Sequence, residues 1–163
     1  MNANKIHIII AHYEIKLNAK LFLSLFNSQL QLQERIMPPE HPTVLITLES
    51  LAETCLDAKR FTHALKYYRE LFDRSQSLEP LDCMKQATTL HLMASIYEQL
   101  NDPTLQKQKL QTALKFVRAA GDGDLANDST AQAERRALEQ RLLGDLEVVE
   151  GNLLSKEDKG NWV

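Results

Sequence analysis

The residues best placed to do chemistry in this sequence are three carboxylates, Glu49, Glu53 and Asp57, spaced four apart. On a helix that spacing gathers all three on one face, where their mutual repulsion favours a cationic partner. The same pattern would serve equally well as an ordinary solvated face, because charged surfaces are common. Nothing comparable points to catalysis. The five histidines, His7, His12, His41, His63 and His91, stand without a Cys, Ser or carboxylate at catalytic or metal-ligand spacing. No metalloprotease, nucleophile-elbow, dinucleotide-binding or P-loop string occurs. Cys55 and Cys83 make neither a disulfide framework nor a zinc site. Cys55 falls among apolar residues and reads as a small core side chain; Cys83 has no basic neighbour to activate it. The acidic stretch Gly121–Thr130 lacks the glycine and distal glutamate of a calcium loop. The expectation is a protein that is not an enzyme and uses no cofactor and no metal.

Whatever positions the carboxylates must come from a chain of 163 residues, 44% apolar and 25% charged, which suffices for one continuous core. Only five glycines and five prolines interrupt it, and Pro38, Pro39 and Pro42 fall in one short segment, so long stretches are free to be helical. The class expected is all-α. A net charge of −3 gives no electrostatic reason to bind nucleic acid. The apolar run Ile8–Ala11 is too short for a membrane span or a signal-peptide core. Reduced thiols then suit the cytoplasm or nucleus. Met1 leads almost directly into a helical pattern, as in a chain that begins inside a longer array.

Sliding the sequence against itself by 42 residues aligns Ile6, Leu48 and Leu90; Ile9, Leu51 and Met93; Ile10, Ala52 and Ala94; and Tyr13, Cys55 and Tyr97. Within each unit these positions fall at i, i+3, i+4 and i+7, one stripe of an amphipathic helix A. A second stripe aligns Phe26, Tyr68 and Leu110, and then Leu30, Phe72 and Leu114, as helix B. Small residues such as Ala52 and Ala64 suit the close crossing of two helices.

This pattern resembles the tetratricopeptide repeat. The link from Leu30-Gln31-Leu32-Gln33-Glu34-Arg35 into Pro38-Pro39-Glu40-His41-Pro42 is similar to the 42-residue repeats of the kinesin-light-chain and nephrocystin-like subclass. The resemblance covers about residues 3 to 118. It implies a right-handed α-solenoid of about three helical hairpins, with units over 3–38, 43–80 and 86–119 in an array spanning 1–120. After a linker at 121–130 comes a C-terminal capping helix over 131–154, opened by a Ser129/Gln132 capping box and apolar at Leu138, Leu142, Leu146, Val149 and Leu153. Residues 155–163 read as a flexible tail.

In such a stack the helix A residues beside the packing stripe line a concave groove that holds a partner segment. The resemblance assigns to that groove His7 and Glu14; Ile46, Glu49, Glu53, Leu56 and Asp57; and His91, Ser95 and Glu98. Lysine and arginine are missing from these positions, which argues against capture of an acidic C-terminus, and the acids favour a basic peptide. The subclass's paired helix A asparagines are replaced here by Glu49 and Ser50. The function expected is a non-enzymatic scaffold or adaptor that binds another protein, with no nucleic acid and no membrane. The alternative is an assembly module that oligomerises or joins a larger complex through its end faces. Its motivation is the surplus of apolar residues (Ile6, Ile8, Ile9, Ile10 and Ile15) in the first unit.

Overall fold

The computed structural model describes residues 3–78, 80–121 and 129–160. Among the described residues there are six helices and no strands: α1 (Ala3–Ile36), α2 (Pro42–Asp57), α3 (Phe61–Ser75), α4 (Cys83–Gln99), α5 (Pro103–Gly121) and α6 (Ser129–Gly160). They form two compact units, α1–α3 and α4–α6. None of the helices is long and apolar enough to cross a membrane, among the residues described.

At the centre of the first unit is the hairpin α2/α3. The proline segment sets where α2 starts. Pro42 occupies the first turn, where a missing N–H costs nothing, and His41 caps the helix, its Nδ1 accepting from the Thr43 N–H at 3.2 Å. Val44, Leu48, Leu51 and Ala52 of α2 are fully buried, as is Ala64 of α3, with Cys55, Tyr68 and Leu71 nearly so. The apolar positions inferred from helical periodicity are thus withdrawn from water in this hairpin, except Phe72, which is half-buried. The same is true of α4/α5 in the second unit, where Leu90, Met93, Ala94, Leu110, Ala113 and Val117 are buried.

The two hairpins turn in the same way, 42 positions apart in the sequence. After α2, the Arg60 N–H reaches back to the Cys55 carbonyl (2.8 Å) and the Lys59 N–H to that of Leu56 (2.9 Å). After α4, Asp102 donates to Tyr97 (3.0 Å) and Asn101 to Glu98 (3.0 Å). Both turns are Schellman closures with a left-handed residue, Lys59 and Asn101, each at φ 56°. Glycine is the usual occupant, and lysine is strained there by its Cβ. Lys59→Gly is therefore expected to stabilise the fold by about 0.5–1 kcal/mol, read as a raised Tm. Asn101→Gly should gain less, since asparagine tolerates this backbone.

The first repeat expected from the sequence, residues 3–38, is not a hairpin. Ala3 to Ile36 is a single helix, because no glycine, proline or capping motif interrupts that stretch. A continuous helix cannot fold back on itself, so its first half is not a helix A packed on its second half. Leu23 and Leu30 are buried on the second half. Asn27 Oδ1 accepts from the Tyr67 hydroxyl at 3.0 Å, and Glu34 pairs with Arg74, which also pairs with Glu70. These bonds run α1 alongside α3.

In the second unit α6 lies antiparallel to α5, with Lys107 paired to Glu150 (2.9 Å) and Arg118 to Glu139 (3.3 Å). Leu142 and Val149 are its buried residues, and Leu138, Leu146 and Leu153 are half-buried. Ser129 is the first residue of α6 instead of its cap, and the helix continues to Gly160, into the stretch expected to be a flexible tail. The run Ser155-Lys156-Glu157-Asp158-Lys159 contains no helix breaker, so nothing local stops propagation. Of the expected linker, Gly121 closes α5 and Thr130 belongs to α6; residues 122–128, like the last three of the tail, lie outside the described residues.

Candidate functional site

The buried stripe of α2 turns its neighbouring positions outward. Ile46, Glu53 and Asp57 are exposed, and Glu49 and Leu56 are half-buried. Facing Ser50, Glu53, Thr54, Asp57 and Ala58 across a cleft of roughly 450 Å³ are Asn18, Ala19, Phe22 and Phe26 of α1. The two phenyl rings stack at 6.2 Å with planes 22° apart. Ser50 and Thr54 turn their hydroxyls to their own helix, donating to the carbonyls of Ile46 (3.0 Å) and Ser50 (2.7 Å). The carboxylates of Glu53 and Asp57 are therefore the charged groups that line this cleft, beside the Asn18 amide and opposite the phenyl rings.

These acids are placed against the preferences of their own helix. Each successive pair is a like-charge i,i+4 pair, which destabilises a helix by about 0.2–0.5 kcal/mol. Asp57 is the last residue of α2, at the negative end of the helix dipole, and the last turn has no basic residue to offset it. Partial burial pushes the Glu53 carboxyl above its ordinary value, and the charges of Glu49 and Asp57 push it further in the same direction. Beneath them, the Tyr68 hydroxyl is buried with no hydrogen-bond partner among the described residues. Burial, and then the fields of Glu53, Glu49 and Asp57, hold it well above the usual phenol range, so it stays protonated.

What this arrangement can do is hold a cation by field and surface. Among the described residues no group of three His, Cys, Asp or Glu side chains is close enough to ligate a metal. A lysine or arginine side chain suits the chemistry better: an aliphatic stem can lie on the phenyl wall while the charged head reaches the carboxylates, and Phe22 or Phe26 can add a cation–π contribution.

The residues assigned to a groove from sequence fall into separate groups. Ile46, Glu49, Glu53, Leu56 and Asp57 share α2, and Glu53 and Asp57 line the cleft. His91, Ser95 and Glu98 lie on α4 in the second unit and face α6 of the same chain. His91 Nε2 sits 2.8 Å from Asp145 Oδ2, and the Ser95 hydroxyl donates to the His91 carbonyl at 3.2 Å. This part of the expected groove is an open pocket of roughly 240 Å³ that Asp145 and Val148 of α6 also line. The side chains of His7 and Glu14 lie outside those described.

No protein-family model matches this sequence, and no curated protein matches it either. Phe22 and Phe26 are the site residues that sequence reasoning misses. The 42-residue register places Phe26 in a packing column and Phe22 in none, because it implies a hairpin where α1 runs straight. The unbroken stretch between Glu14 and Phe22 is the available signal.

Proposed function

We propose that this chain is a non-enzymatic protein-binding module of tetratricopeptide-like type, whose acidic, phenyl-walled cleft between α1 and α2 holds a basic segment of a partner protein. The observation that carries this reading is the placement of Glu53 and Asp57 against their own helix's electrostatics, beside two accessible aromatic rings. The repeat assignment draws on the matched turns at Lys59 and Asn101, one 42-residue period apart, and on the two buried hairpins. A right-handed solenoid of such hairpins is part of the same proposal, as is a cytoplasmic or nuclear role for a chain with Cys55 and Cys83 both free.

The test is isothermal titration with a lysine- and arginine-rich peptide carrying two or three leucines, beside an acidic peptide of equal length. Micromolar affinity for the basic peptide only, weakening as salt rises, is the result expected of a partly exposed charged site. The pH dependence has a definite sign. A cation binds the carboxylate form, and Glu53 is protonated at higher pH than an ordinary glutamate, so affinity should fall on acidification from above the usual carboxylate range. Binding should release protons, visible as a heat that depends on the buffer's ionisation enthalpy. Equal affinity for the acidic peptide, or binding indifferent to salt, would remove the basis for this reading.

A further inference from the structure

The face of α1 turned away from α2 and α3 carries Leu21, Leu25, Leu32 and Ile36, which remain 56%, 66%, 62% and 76% exposed. At 3.6 residues per turn they fall within an arc of about 60° and extend over about 22 Å. Isolated exposed leucines mean little, but a straight stripe of four does not arise from random surface composition. From the exposed stripe on α1 we infer that this face pairs with the same face of a second copy, antiparallel, about a two-fold axis passing between Ser28 and Gln29.

Three features select a second copy as the occupant. First, the spacing is four, seven, four, which reads the same from either end. Reversing the helix places Leu21 against the partner's Ile36 and Leu25 against the partner's Leu32, as an isologous contact requires. The 11-residue interval from Leu21 to Leu32 and from Leu25 to Ile36 keeps the stripe on one side of a nearly straight helix. Second, the residues at the centre, Ser28 and Gln29, are uncharged, so like meets like without repulsion. Antiparallel pairing opposes the helix dipoles, and it brings Lys20 towards the partner's Arg35 only at the two ends of the stripe, where solvent screens the repulsion. Third, the exposed parts of these side chains amount to on the order of 1,000 Å² over two copies, the lower end of specific interfaces.

Sedimentation equilibrium of the full chain from about 1 to 500 μM should show a monomer–dimer transition. Leu25→Glu with Leu32→Glu should raise the Kd more than a hundredfold, and helicity should not change, since both sites are solvent-exposed in the monomer. Raising salt should tighten the dimer by screening the flanking cations, the opposite of its effect on a basic peptide in the cleft. Orientation is read with a short bismaleimide in a Cys83→Ser background, Cys55 being buried. A Leu25→Cys chain mixed with a Leu32→Cys chain should cross-link to each other and neither to itself. A monomer at all concentrations, a dimer that survives the double glutamate variant, or self-cross-linking of Leu25→Cys would each overturn the inference.

Discussion

Reversing the charge of the cleft with Glu53→Lys and Asp57→Lys is expected to weaken binding of a basic peptide at least a hundredfold while leaving the fold intact or slightly more stable. Two carboxylates become two ammonium groups facing a cationic ligand, so attraction turns to repulsion between like charges. The stability change has the other sign. Glu53→Lys turns the repulsive i,i+4 pair with Glu49 into an attractive one, and Asp57→Lys puts a cation at the end of α2, complementing the helix dipole that the aspartate opposes. Together these should raise stability by about 0.5–1 kcal/mol. Titration calorimetry paired with thermal melting on the same samples measures both. Loss of binding with a gain in Tm separates a site from a merely solvated face; unchanged affinity would show that the cleft does not hold the ligand.

Leu48→Ala should have the largest effect on the fold. Leu48 is fully buried in the α2/α3 core, among side chains that are themselves buried, so truncation leaves a cavity that its neighbours fill only in part. The expected cost is about 3 kcal/mol, or a fall in Tm of roughly 6–12 °C for a chain of this size. Ile46→Ala, two residues away and 57% exposed, should cost no more than about 0.5 kcal/mol. A comparable loss at both positions would mean that α2 does not present the stripe described here.

Much of the helical architecture is legible in the sequence because its cause is local. A helix must repeat its apolar residues at three and four, so Leu48, Leu51, Ala52 and Cys55, and again Leu90, Met93, Ala94 and Tyr97, declare which faces will be buried. Pro42 marks where α2 begins for an equally local reason. The turns at Lys59 and Asn101 are harder to read, since neither carries the glycine that announces a left-handed residue. The first unit is where periodicity misleads. Two apolar stripes suggest two helices there, although nothing between them could end the first.

Residue types and their spacing therefore specified the helices α2 to α5, their main inward positions and the gathering of Glu49, Glu53 and Asp57 on α2, because each depends on neighbours within one or two turns. What those faces meet was decided by tertiary packing. Phe22 and Phe26 stand opposite Glu53 and Asp57 because α1 does not fold back, and His91 is engaged by Asp145, 54 positions along the chain. Leu21, Leu25, Leu32 and Ile36 stay in water because α1 packs by its other face, which holds Leu23 and Leu30. Contacts between distant segments arise from the summed burial of whole helices, which no short window of sequence contains.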